Sequence, residues 1–138
     1  MRIASLDVLA NGQPAPGELH RLGPIVDVVL RGPTGEAVSG KGIIDTGATM
    51  TCFDEDAAKH AKMPVIRTAT MGSATHANVV VPVFAGQVEI AGFANFNPEA
   101  GAFGAQLGDD IVALIGRDIL SLTLMIYNGL QGKITLCI

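Results

Sequence analysis

The sequence of 138 residues is short of cysteine, of basic residues and of long apolar runs. Its two cysteines, Cys52 and Cys137, stand far apart, with no Cys-x-x-Cys pair and no Cys/His cluster at zinc spacing. That argues against a metal site, and no cofactor is implied. One disulfide between them is open to the chain, but two buried free thiols in a reducing compartment are the plainer reading. Nine Lys and Arg against thirteen Asp and Glu leave no basic surplus to neutralise phosphates, which argues against a nucleic-acid partner. The longest apolar stretches, such as Val79-Val80-Val81-Pro82-Val83-Phe84-Ala85, fall far below the roughly 20 residues of a membrane helix. Asp7 interrupts the N-terminal segment where a signal peptide would continue its apolar stretch. The expected protein is soluble and cytoplasmic, without a membrane partner. With 49% hydrophobic and 16% charged residues, its balance is the reverse of a disordered chain. The length suits one domain over 1–138, able to bury a core without disulfide or structural metal.

Seventeen Gly and seven Pro break the sequence into short pieces. Between them, β-branched residues recur with period two or in short buried runs. Ile25 to Leu30 predicts a strand, Gly32-Pro33-Thr34-Gly35 a turn, and Ala37 to Ile44 the returning arm of a hairpin. Met1 to Leu9 reads as a first strand, followed by a loop at Asn11 to Gly17. Further strands are predicted at Val65–Thr70, Val79–Ala85, Gln87–Ile90, Ile111–Ile115, Leu124–Tyr127 and Lys133–Ile138. Asp54 to Ala61 opens with acids suited to a helix N-terminus and is stopped by Pro64. Arg117 to Leu122 reads as a second short helix. Asn97 to Asp110, with three glycines, reads as a loop. These elements describe a mostly-β domain with closed, barrel-like curvature and one or two short helices.

The residues that ask for a chemical explanation are Ile43-Ile44-Asp45-Thr46-Gly47-Ala48-Thr49. A carboxylate directly after a buried β run is costly unless it is paired or neutralised, and the small residues that follow allow a tight turn around it. By itself the Asp-Thr-Gly tripeptide also suits a strand-ending turn with no function. Other motifs are weaker. Gly35 to Gly42 matches part of a phosphate loop, but Gly42 replaces the magnesium-binding Ser/Thr and a strand follows in place of a helix. No Gly-x-Ser-x-Gly elbow is present. His20, His60 and His76 share no ligand spacing. Asp54/Asp56 and Asp109/Asp110 read as a helix start and a solvated loop. Cys52, seven residues after Asp45, is either a core thiol or a wall of the pocket.

About seventy residues after Asp45 comes Leu114-Ile115-Gly116-Arg117-Asp118-Ile119-Leu120, an apolar strand, a Gly, a charged pair and a short helix. A small, polar hairpin tip around Gly72 lies between. In this order, and with the final strand Ile134 to Ile138, these elements resemble the retropepsin-like (retroviral-type) aspartic proteases over Ile25 to Ile138. The resemblance implies an acid-protease fold with a flap hairpin and a homodimeric endopeptidase. Asp45 would be the catalytic carboxylate, Thr46 the residue bonding across to the partner subunit, and Gly47 the one exposing peptide groups beside the substrate. Ala48, Ile115 and the flap residues Met71, Gly72, Ser73 and Ala74 would meet the substrate, while Gly116 and Arg117 would brace the catalytic loop. In retroviral members an acid often follows Asp-Thr-Gly-Ala and pairs with the bracing Arg; here Thr49 stands in its place. The flap is also less Gly-rich than in some relatives.

One such triplet per chain makes sense chemically only in a pair. Aspartic proteases are the standard example of two facing carboxylates sharing one proton, one activating water and the other polarising the scissile carbonyl. Like charges about 3 Å apart do not both ionise readily, so their titrations separate and belong to the pair. The second carboxylate would come from another copy across a C2 axis, with both Asp45 side chains at the axis. A two-lobed protease would need a second Asp-Thr-Gly, which the sequence lacks. The implied partners are a second copy and an extended peptide or protein substrate, with apolar side chains near the scissile bond. The competing reading is a non-catalytic module of the same fold, used for dimerisation or peptide binding. Lys133 to Ile138 would pair with the other chain, with Arg2 to Val8 alongside.

Overall fold

The computed structural model describes residues 2–7, 9–10, 13–14, 16–73, 76–92, 94–104, 107–108 and 110–138. The strands are β1 (Ile3–Asp7), β2 (Leu9–Ala10), β3 (Gln13–Pro14), β4 (Ile25–Arg31), β5 (Ala37–Ile44), β6 (Cys52–Asp54) and β7 (Val65–Ser73). They continue with β8 (His76–Ala85), β9 (Gln87–Ile90), β10 (Ala94–Phe96), β11 (Glu99–Phe103), β12 (Ile111–Ile115), β13 (Leu124–Asn128) and β14 (Lys133–Cys137). The helices are α1 (Pro16–Leu22), α2 (Glu55–His60) and α3 (Arg117–Leu120).

The period-two pattern does what it predicts. In β4, Val26, Val28 and Leu30 turn into the core while Asp27 faces out. β4 and β5 pair antiparallel from Ile25↔Ile43 to Arg31↔Ala37, across a turn that Gly35 closes at φ +94°. At α2, the Asp54 carboxylate accepts the Ala57 N–H at 3.0 Å, an N-cap with acids in the first turn and Lys59 and His60 in the last. The hairpin β7–β8 is longer than its sequence suggests, because the polar residues at its tip also pair, as far as Ser73↔His76.

Among the departures from expectation, three have identifiable reasons. α1 is a third helix where the sequence reads as loop. Its Pro16 occupies the first helical position, and Gly23 ends it at φ +81° with its N–H on the Leu19 carbonyl at 3.0 Å. Leu19 is fully buried, so tertiary packing stabilises what local punctuation obscures. β11 occupies Glu99–Phe103 of the loop predicted over Asn97–Asp110. Its Ala100, Gly101 and Ala102 are small enough to be buried between β6, which it joins in parallel, and β8. β6 is three residues long, too short for a period to show.

Nine strands form one sheet in the order β10-β9-β4-β5-β12-β6-β11-β8-β7. The fold is mostly β, as expected, but this sheet runs open from β10 to β7 and does not close into a barrel. The outer part of the β7–β8 hairpin, from Thr68 to Pro82, pairs only with itself among the described residues. A second sheet, β1-β14-β13, covers the core with Ile134 and Leu136. β14 therefore has both edges filled within its own chain, by Ile3↔Cys137 on one side and Leu124↔Cys137 on the other. The expected pairing of residues 133–138 with a second chain is not what this sheet shows. No helix among the described residues is long and apolar enough to cross a membrane.

Because β14 is central, its loss should unfold the protein. Ile134→Ala is expected to cost about 2–5 kcal/mol in urea unfolding. A chain lacking residues 133–138 should lose its native β-sheet circular dichroism; a folded, monomeric truncated chain would contradict this.

Candidate active site

β12 lies between β5, which it joins in parallel, and β6, which it joins antiparallel. The chain leaves β5, passes over the C-terminal end of β12 and returns along its other side as β6. Residues 45–51 make that crossing. Its first residue, Asp45, continues the ladder by donating its N–H to the Ile115 carbonyl at 2.9 Å. The half-buried Asp45 carboxylate then accepts the Gly47 N–H on Oδ1 at 2.9 Å, and its carbonyl accepts the Ala48 N–H at 3.2 Å. The turn thus holds its carboxylate in place with a backbone donor. The Thr46 hydroxyl, on the exposed side, has no hydrogen-bond partner among the described residues.

The far side of the crossing is tied down by a buried network. Thr51 is fully buried; its hydroxyl donates to Asp118 Oδ1 at 2.7 Å and accepts the Gly116 N–H at 3.1 Å. Its own N–H donates to Asp118 Oδ2 at 2.9 Å, and the Ile119 N–H donates to Oδ1 at 2.9 Å. One carboxylate at the start of α3 therefore accepts three hydrogen bonds, two of them from the crossing segment. A Cβ on Gly116 would stand 2.5 Å from the Met50 carbonyl carbon, so only glycine passes beneath the crossing. Sequence reasoning missed Thr51 and Asp118. The Asp beside Gly116-Arg117 was visible as half of a charged pair, but nothing local links it to a threonine 67 positions away.

Arg117 closes the front of the turn. Its N–H reaches the Ala48 carbonyl at 2.9 Å, Nη1 the Thr46 carbonyl at 2.8 Å and Nη2 the Thr49 hydroxyl at 3.2 Å. Thr49, at the position where the resemblance leads one to expect an acid, supplies a neutral acceptor.

Of the expected substrate contacts, Ile115 is different in kind. Its side chain is fully buried in the core, and it meets the site through its carbonyl. Leu114, paired with Ile43, is the half-buried neighbour on the opposite face. Ala48 is half-buried in the turn. Half-buried Met71 sets its sulfur over β11, where a Cβ on Gly101 would come within 2.5 Å of Sδ and 3.7 Å of Cys52 Sγ. Gly72 sits at an irregularity in the β7–β8 register, and a side chain there would collide with Asn78 Oδ1. Ser73 faces His76, and Ala74 lies outside the described residues. Both thiols are free. Cys52 is buried, and its pKa is pushed up to about 11, first by burial and then by the carboxylates of Asp118 and Asp45. Among the described residues no three His, Cys, Asp or Glu side chains converge as metal ligands would.

Comparison with known proteins gives two matches of interest. A family model described as aspartyl protease matches residues 26–119, more than half of the chain. The crystal structure of a retropepsin-like aspartic protease from Rickettsia conorii is similar at a TM-score of 0.48 and 19% identity, covering 81% of this chain and 90% of that one. No curated protein sequence matches the chain.

Two outcomes follow from this geometry. Thr51→Val keeps the shape but strands the Gly116 N–H and removes one donor from Asp118; it should cost about 1–3 kcal/mol in urea unfolding. For the cysteines, the unfolded thiolate forms near its ordinary pKa of 9.0 and the folded Cys52 thiolate only near 11. Stability linked to Cys52 is therefore unchanged below about pH 9 and falls as pH rises from there towards 11. A disulfide reagent at about pH 8 should find Cys137 in the native protein and Cys52 only after unfolding, whereas rapid native labelling of both would refute the buried assignment.

Proposed function

The chain belongs to the retropepsin-like aspartyl protease family, and from that premise we propose that it is a homodimeric aspartic endopeptidase. The observation that carries this reading is the Asp45 turn. A half-buried carboxylate is held by the Gly47 N–H, in a turn whose backbone is clamped by the Ile115 carbonyl and by Arg117, with no cation paired to the carboxylate among the described residues. Such a clamp fixes a reactive group to the narrow tolerance that proton transfer needs.

In the proposed dimer each subunit brings one Asp45 to the two-fold axis, and the pair shares one proton. The ionised carboxylate takes a proton from water as that water attacks the scissile carbonyl carbon. The protonated carboxyl donates a hydrogen bond to the carbonyl oxygen, where negative charge develops. Collapse of the tetrahedral intermediate breaks the C–N bond, and a carboxyl proton goes to the leaving amine. The Thr46 hydroxyl, left over by its own chain, is the group suited to bond across the axis. The β7–β8 hairpin would close over an extended peptide, and Met71, Gly72 and Ser73 are the flap residues nearest its tip that the structure describes.

The second sheet is the surface we assign to the partner copy. Its inner face is buried, while Ile3, Leu124 and Ile126, 65%, 56% and 53% exposed, form an apolar outer face around Cys137. With both edges of β14 already filled, the partner would meet this face or the open edges of β1 and β13.

The test mixes subunits. Asp45→Asn alone should lower cleavage of an unstructured protein by about 10²–10⁴-fold while leaving the sedimentation coefficient unchanged. Wild type and Asp45→Asn co-refolded in varying ratio at constant total protein should lose activity as the square of the wild-type fraction, because a dimer needs both carboxylates. A linear loss would mean one chain suffices, and cleavage that survives in Asp45→Asn would overturn the catalytic assignment. A dimeric wild type that cleaves nothing would favour a peptide-binding module.

A further inference from the structure

The outer face of the nine-stranded sheet carries a groove of about 950 Å³ that the catalytic turn does not use. Ile25 and Val29 of β4 with Ile43 of β5 form an apolar floor. Leu22 at the end of α1 forms one wall, and Leu107, Gly108 and Asp110, before β12, form the other. Every backbone strand of this floor is already paired on both sides, so an occupant would bind through its side chains.

The groove and the carboxylate share one strand face. Lys41 and Ile43 point to the same side of β5, and Asp45 continues that alternation because its N–H still bonds to Ile115 in the ladder. At about 3.3 Å per residue, Ile43 lies roughly 7 Å and Lys41 roughly 13 Å from Asp45 along the strand. The groove floor therefore shares a strand face with Asp45, about two to four residues of an extended peptide away from it.

Its charges are unequal. Asp27 is bound to Lys41, and Glu89 lies 3.7 Å from Arg31, so these two acids are matched. Asp110 is not. Its backbone, at φ +64°, gives its carbonyl to the Lys41 N–H at 2.7 Å, and its exposed carboxylate has no partner among the described residues. Three acids and one lysine line the groove, over an aliphatic floor.

We propose that this groove is a substrate subsite selecting a basic side chain, Arg or Lys, with its aliphatic stem on the paired Ile25 and Ile43 and its cationic head at Asp110. The inference rests on the peptidase reading only for naming a peptide as the occupant. An aliphatic stem with a charged tip suits a floor that is apolar and a rim that is acidic.

The experiment measures binding apart from cleavage. Fluorescent Val/Ala octapeptides, with Arg, norleucine or Glu scanned through each position, are titrated into the intact Asp45→Asn protein and followed by anisotropy. At one position Arg should bind better than norleucine and norleucine better than Glu. The Arg-to-Glu ratio there should be about three- to tenfold at low salt and should shrink as salt is raised. Asp110→Asn, whose new side chain tolerates the left-handed backbone, should lower that ratio; Lys41→Gln should raise it. Opposite movements cannot come from a general loss of structure. The same order of affinities at every position, or both variants moving the ratio the same way, would overturn the proposal. Wild-type cleavage of the same peptides is scored separately, so an inactive protein that still prefers Arg refutes the peptidase reading and keeps the subsite.

Discussion

Residues 45–51 run over the end of β12, and they do so because Gly116 has no side chain to stop them. From that crossing the rest of the site follows. β5 and β6 lie on either side of one strand, Asp45 emerges at the strand end with its N–H on Ile115, and the buried Thr51 hydroxyl joins Gly116 to Asp118 beneath. A buried hydroxyl and a carboxylate are tolerable here since each is satisfied by named partners. The same network fixes the start of α3, which places Arg117 against the front of the turn.

The parts that were legible in the sequence are those whose chemistry is local. Asp45-Thr46-Gly47, the Gly116-Arg117 pair and the β4–β5 hairpin are written in adjacent residues, because a tight turn, a close backbone approach and a period-two face each demand particular neighbours. The parts that were not legible depend on distant partners. β11 is a strand because β6 and β8 flank its small residues, and α1 is a helix because Leu19 finds the core. Ile115 looks like a pocket residue from its place in the motif, yet the pleat turns its side chain inward and leaves only its carbonyl to the site. Thr51 and Asp118 are joined across half the chain, a distance over which one sequence carries no pairing signal.

Thr49 gives Arg117 a hydroxyl acceptor where the resemblance leads one to expect an ion pair. A bidentate ion pair would hold Arg117 more strongly, but its guanidinium also reaches the Thr46 carbonyl, and its N–H the Ala48 carbonyl. Three neutral acceptors spread along the turn keep it clamped. They are main-chain and hydroxyl oxygens, so Arg117 holds the turn without forming an ion pair to a residue of the turn.

The pairing of β1 with β14 also has a bearing on how the molecule comes into being. The first strand waits for a partner from the opposite end of the chain, so this sheet has no neighbour to grow from while the polypeptide is being synthesised. Ile134 and Leu136, which belong to the same core as Ile44 and Ile115, follow both in the chain. On a ribosome Asp45 would emerge well before Ile115 and Arg117, which hold its turn, and the sheet face assigned to the partner copy would exist only once synthesis had passed β14.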